Sequence, residues 1–219
     1  MKIIAKREAI LSPLQAVIGV VERKQTMPIL ANVLVAAKGG KLSITATDLE
    51  VELVATSDVD VQRGGEITIP GRKLLDICRA LPEGTEITLT QEGERMLVRA
   101  RKSRFTLTTL PAAEFPTVEE INAEQTLQLP QKDFKRLLDK THFSMAQQDV
   151  RYYLNGLLLE TSAKMLRAVA TDGHRLALCE VELANGGKAG QQVIVPRKGV
   201  LELQRILGNE DHLLEVSIG

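Results

Sequence analysis

Apolar positions in the first 110 residues switch between two periods. Ile10, Leu11, Leu14, Val17, Ile18 and Val21 recur at helical spacing and predict a helix over residues 8–22, behind a short strand. Residues 32–37 and 41–45 alternate around Gly39-Gly40 and predict a hairpin, with a third strand after Asp48 ending near Thr56. A second helix follows Ile69-Pro70, carries Leu74, Leu75, Ile77, Cys78 and Leu81, and stops at Pro82-Glu83-Gly84. Residues 85–110 predict three strands, turning at Glu92-Gly93 and near Arg101-Lys102.

The same order returns later. Ala46-Thr47-Asp48 recurs as Ala170-Thr171-Asp172, 124 residues on. Ala31-Asn32-Val33-Leu34-Val35 is echoed by Leu154-Asn155-Gly156-Leu157-Leu158, and Ile69-Pro70-Gly71-Arg72-Lys73 by Val195-Pro196-Arg197-Lys198. Three matches in order indicate duplication of one unit of two helices and several antiparallel strands, an α+β fold. Phe134, Leu137, Leu138 and Thr141 mark the first helix of the second copy, over residues 131–143. Residues 197–207 form its second helix, followed by one strand at residues 213–218. Residues 111–125 hold two prolines and four glutamates and read as a linker, so the units are expected at 1–125 and 126–219. Roughly two strands of the second unit are missing by this comparison, which makes the chain a fragment of something longer.

Composition narrows the field. Among 219 residues, 44% are hydrophobic and 26% charged, as in an ordinary globular protein. No apolar run reaches membrane-spanning length, and the N-terminus is too charged for a signal peptide. Two cysteines, Cys78 and Cys179, make no disulfide framework. A cytoplasmic location is the expectation. Aromatic residues are 3%, too few for a base-stacking platform.

Formal net charge is zero, yet its distribution is uneven. The windows holding the four helices, residues 1–24, 71–81, 131–141 and 196–207, carry +3, +2, +2 and +2, leaving −9 elsewhere. Cationic helices without a groove-reading motif attract phosphate backbone with no sequence preference.

At the level of motifs the chain resembles the bacterial DNA sliding clamps, the β subunit of the replicative DNA polymerase III. The resemblance rests on Leu81-Pro82-Glu83-Gly84, Glu92-Gly93-Glu94-Arg95-Met96-Leu97-Val98-Arg99, Gln148-Asp149-Val150-Arg151-Tyr152-Tyr153-Leu154-Asn155-Gly156 and Ala170-Thr171-Asp172-Gly173-His174-Arg175-Leu176. It implies tandem clamp domains, each with two helices packed on antiparallel sheets. Here these would be the first domain and most of the middle one, with a third domain absent. It further implies a homodimeric ring around duplex DNA, helices inward, that does no chemistry and uses no cofactor or metal. Such a ring tethers the polymerase III catalytic subunit and raises its local concentration at the primer. Its expected partners are duplex DNA, the clamp loader, and other polymerases and repair proteins carrying clamp-binding peptides.

Residue by residue, the resemblance assigns DNA contact to Lys24, Gln148, Tyr152 and Tyr153. Lys24 replaces a family arginine, which keeps the charge and loses the fork geometry. If the adjacent tyrosines begin a strand, their rings point to opposite faces. Charge and helix position add Arg72, Lys73, Arg79, Arg197, Lys198 and Arg205. Leu154, Thr171, Gly173, His174, Arg175 and Leu176 match a pocket for peptide motifs. In it, Leu154 and Leu176 form an apolar floor under a polar rim. Phe105 and Leu107 share one face of a strand and match the dimer edge, although spacing equally suits core packing. Lys73, Arg95 and Arg104 match cations facing acidic residues of the partner subunit.

Two other readings compete. Asp172 and His174, with Cys179 nearby, form an acid–base pair of a hydrolase if the strand is regular there, which Gly173 opposes. The three histidines, His142, His174 and His212, lack zinc-ligand spacing. A sequence-specific DNA-binding regulator is the other reading, distinguished by affinity that varies among DNA sequences.

Overall fold

A computed structural model describes residues 1–21, 27–118, 122–184 and 190–219. It divides into two units, Met1–Val118 and Glu119–Gly219.

In the first unit, β1 (Lys2–Lys6) runs into α1 (Arg7–Val17). Ile10, Leu11, Leu14 and Val17 fill the buried stripe of α1, while Glu8, Ser12 and Gln15 face out. The helix is shorter than its apolar period suggests. After Val17 the chain tightens into turns, with Val20 N bonded to Val17 O and Val21 N to Ile18 O, and these still bury Val20 and Val21. Pro13 sits inside α1 and has no N–H to give Ala9 O; the Ser57 hydroxyl donates to that carbonyl instead, at 2.5 Å. A 3-10 turn (Pro28–Ala31) then leads to β2 (Asn32–Lys38), β3 (Lys41–Thr47) and β4 (Glu52–Asp58).

After β5 (Asp60–Arg63) the order repeats within the unit: β6 (Gly65–Pro70), α2 (Gly71–Ala80), β7 (Glu86–Glu92), β8 (Arg95–Ala100) and β9 (Ser103–Thr108). The halves exchange their first strands. β6 joins the sheet β4-β3-β2-β6, and β1 joins β5-β1-β7-β8-β9; all pairings are antiparallel. The helices α1 and α2 pack together, and Arg7 Nε donates to Cys78 O at 2.7 Å between them. Ile3, Ile10, Leu14, Ile44, Leu74 and Leu89 lie in the core with no exposure.

The first part of the expected linker, Pro111 to Val118, packs on this unit together with Leu110. Phe115 is buried against Ile29 and Leu30, Leu110 O accepts from Thr68 Oγ1 at 2.9 Å, and Asn32 Nδ2 donates to the same hydroxyl at 2.9 Å. One aromatic residue anchors a segment whose composition otherwise reads as solvent-exposed. β5 escapes sequence reading because it is a short edge strand with Val61 as its one apolar residue.

The second unit opens with β10 (Gln125–Pro130) and α3 (Gln131–Thr141). Two 3-10 turns follow, His142–Ser144 and Tyr152–Asn155, then β11 (Gly156–Thr161), β12 (Met165–Thr171) and β13 (Leu176–Glu182). β14 (Gln192–Pro196), α4 (Arg197–Ile206) and β15 (Leu213–Ile218) come next. Its sheets are β13-β12-β11-β14 and β10-β15. Leu34 pairs with Thr45 as Leu158 pairs with Val169, so the 124-residue period holds in three dimensions. Phe134, Leu137, Leu138, Leu157, Leu166 and Val200 centre the core. No helix among the described residues is long and apolar enough to cross a membrane.

Candidate functional site

The repeated Thr-Asp pair builds the same turn twice. In the second unit, Thr171 Oγ1 accepts from Gly173 N at 3.1 Å, and Asp172 Oδ1 from His174 N at 2.9 Å and Arg175 N at 3.0 Å. In the first unit, Thr47 Oγ1 accepts from Leu49 N at 3.1 Å, and Asp48 Oδ1 from Glu50 N at 3.0 Å and Val51 N at 2.8 Å. Local side-chain acceptors of this kind replace backbone pairing where a strand ends. Gly173 supplies the φ of +87° that the turn requires.

These bonds engage Asp172 within the turn. Its second oxygen holds Arg175 Nε at 3.0 Å, and the amides of His174 and Arg175 keep its carboxyl below the usual range. Cys179 faces the core from the middle of β13, on the side opposite exposed Leu176 and Leu178. Asp172 is thus engaged within the turn, and Cys179 within the core of the unit.

The segment before β11 lies against this turn. Asn155 clamps Asp149 at both ends, accepting from its N and donating to its O, each at 2.9 Å. Asp149 grips Arg151 with both oxygens, at 3.0 and 2.9 Å, and accepts its backbone N–H at 2.8 Å. The Arg151 side chain, then its amide, pulls the Asp149 carboxyl down to about 2. The guanidinium reaches the turn, where a Cβ on Gly173 would stand 3.3 Å from Arg151 Nη2. Glycine therefore serves both the turn and this approach.

Thr171, Gly173, His174, Arg175 and Leu176 thus come together on one turn, with Leu154 half-buried in the adjoining 3-10 turn. Sequence reading missed Arg151, Phe143 and Leu178. Arg175 Cζ stands 6.0 Å from the Phe143 ring centroid, and Leu178 continues the exposed face begun by Leu176. The signal for Leu178 is the period-2 alternation of β13; nothing in the sequence pairs Phe143 with Arg175. The surface offers exposed apolar side chains beside the guanidinium groups of Arg151 and Arg175, a combination suited to an extended peptide.

The tyrosines differ from expectation. They lie in a 3-10 turn, edge to face at 6.0 Å, and both are exposed, Tyr152 by 83% and Tyr153 by 50%. Gln148 is exposed at φ +57° beside the Asp149 clamp.

Cations on the helices divide into several groups. Lys73 and Arg79 are exposed on α2, around Asp76. Arg136 and Lys140 are exposed on α3, where Lys135 pairs with Asp139 at 3.2 Å and Lys132 with Asp211 at 2.5 Å. Arg197 and Lys198 are half-buried in the first turn of α4, against its macrodipole, so they do not serve the helix itself. Arg205 is exposed and holds Glu202 at 2.7 Å. Arg72 departs from the expectation of a phosphate contact: it is half-buried and its Nη2 donates to Val21 O, because its position on α2 turns it toward the chain after α1. The charge counted with α1 is also misplaced. Lys2 and Lys6 lie on β1, and Arg23 and Lys24 lie outside the described residues.

On edge strand β9, Leu107 faces Met96 and is buried in its own core, so it has little surface left for a partner subunit. Phe105 faces Val98 at the open rim of that core, 37% exposed. On the other face Arg104 lies opposite Arg99, with Arg95 two positions along from buried Leu97, a cluster of like charge suited to an acidic partner. Arg99 is a further member that sequence reading did not assign to this edge.

Residues 1–119 match the family "DNA polymerase III beta subunit, N-terminal domain", and residues 128–219 match "DNA polymerase III beta subunit, central domain". Curated relatives include the beta sliding clamp of Pseudomonas aeruginosa, 53% identical over 98% of this chain and 59% of the relative. The beta sliding clamp of Escherichia coli K12 is 52% identical, over 100% of this chain and 60% of the relative. Among solved structures, the P. aeruginosa sliding clamp bound to griselimycin superposes with a TM-score of 0.96 at 52% identity, covering 100% of this chain and 60% of that one. A Caulobacter crescentus polymerase III beta structure gives 0.94 at 38% identity, covering 100% and 61%. The chain spans about 60% of the length of these relatives.

Proposed function

The chain belongs to the DNA polymerase III beta subunit family, and from that premise we propose that it is part of a sliding clamp, a non-catalytic processivity factor that encircles duplex DNA in the cytoplasm. The observation that carries this reading is the duplicated unit, in which a helix pair with outward cations is backed by antiparallel sheets. Lys73, Arg79, Arg136, Lys140, Lys198 and Arg205 face phosphates, with Gln148 and the tyrosine pair beside them; Lys24 joins them by resemblance. Such contacts hold a duplex without reading it. Each is weak, and closure of the ring supplies the retention. The turn at 171–176, with Leu154, Arg151 and Leu178, receives short peptides from the polymerase, the clamp loader and repair proteins. Phe105 with Arg95, Arg99 and Arg104 meets an acidic, apolar edge of a second subunit.

The test uses the protein at its relatives' full length, loaded on nicked circular duplex by its loader and ATP. Retention on circles, with rapid loss after linearisation, is the expected result. Equal loss from circles and linear DNA overturns the reading, as does an affinity that varies strongly among duplexes of equal length.

A further inference from the structure

The two Thr-Asp turns share their bonding and differ in what they display. Where the second unit has Gly173, the first has Leu49, held at φ +81°. A leucine in the left-handed region is a genuine outlier and costs conformational energy. Its side chain is 55% exposed, so packing within the unit does not offset that cost. The turn requires this φ, but glycine meets it without strain in the second unit, so the choice of leucine points to function.

Two further exposed apolar residues flank Glu52, which follows this turn. Val54 is 56% exposed on the outward face of β4, two residues from Glu52. Val118, 47% exposed, is fixed beside Glu52, whose Oε2 accepts from Val118 N at 3.3 Å. By the 124-residue period, Glu52 and Val54 occupy the positions of Leu176 and Leu178. The charge differs: the first turn is acidic, while the second balances Arg175 with Asp172 and Arg151 with Asp149. The first turn reads Asp48-Leu49-Glu50-Val51-Glu52, with Glu50 exposed, whereas the second carries His174 and Arg175 and meets Arg151.

We propose that Leu49, Val54 and Val118 form a second peptide-docking surface, on the first unit, whose occupant is a cationic segment of a partner protein with apolar anchors. The anchors cover Leu49 and Val54, and the cations meet Glu50 and Glu52. An acidic turn selects a cationic ligand that the charge-balanced turn of the second unit does not favour, so the two surfaces do not compete. The proposal stands on the strained leucine and the acidic turn and does not need the second unit's surface to bind peptides.

Fluorescence anisotropy with a short labelled peptide of alternating lysine and leucine tests it on this chain. Leu49→Gly suits the backbone and keeps the fold; it is expected to weaken binding about tenfold while the melting temperature holds or rises. Glu50→Lys weakens binding likewise, and a glutamate–leucine peptide does not bind. The proposal is overturned if Leu49→Gly binds as well as the parent, if Leu176→Asp abolishes binding in its place, or if the parent's dissociation constant exceeds about 1 mM.

Discussion

Ser57 and Pro13 are 44 residues apart, yet one supplies what the other lacks. Ser57→Ala leaves the Ala9 carbonyl without its donor and is expected to cost about 1–2 kcal/mol in urea denaturation. Pro13→Ala in the same background restores the helical N–H and recovers much of that loss. Periodicity places Pro13 in a helix, but nothing local to either residue announces their partnership, because the bond depends on α1 packing over β4. Cys78 gives a second test. Burial pushes its thiol up to about 12, so it has almost no thiolate at neutral pH. It is expected to resist a disulfide reagent in the native chain and to react promptly in denaturant; rapid native reaction disproves the assignment. Thr171 and Asp172 show the opposite case to Ser57. Their repetition at Thr47 and Asp48 was legible in sequence, but their role became clear only when both carboxylates were seen accepting amide hydrogens.

Elements were legible where an apolar face repeats over a full strand or helix. The three strands β7–β9 follow from alternation, and α2, α3 and α4 from their buried stripes. The 3-10 turns and the packed segment after β9 were not, since three or four residues define no period. Phe115→Ala tests that segment: removing the ring from Ile29 and Leu30 is expected to cost about 3 kcal/mol. The segment from Asp149 to Asn155 has an acid response. Its carboxylate titrates lower when folded than when unfolded, so its stabilising contribution is complete above the unfolded value of about 4 and is lost as pH falls toward 2. The two tyrosines of the chain both lie in this segment. Tyrosine emission is therefore expected to change over that window in the parent and not in Asp149→Asn.

For the whole molecule, net charge misleads and its placement informs. Reversing Arg136 or Lys140 to glutamate is expected to weaken duplex binding equally for all sequences and to reduce the salt slope by about one each. Sequence windows overstated the contribution of α1, because lysines that flank a helix in sequence lie on a strand in space. The exchange of first strands in Met1–Val118 has a consequence for assembly in time. β1 must wait for β7, more than 80 residues later, and β6 must return to β2, so neither half can complete its hydrogen-bonded framework alone. Such high contact order slows folding and forbids a half-formed resting state. Amide exchange in β1 and β6 should then proceed through one global opening event, with the two strands losing protection together.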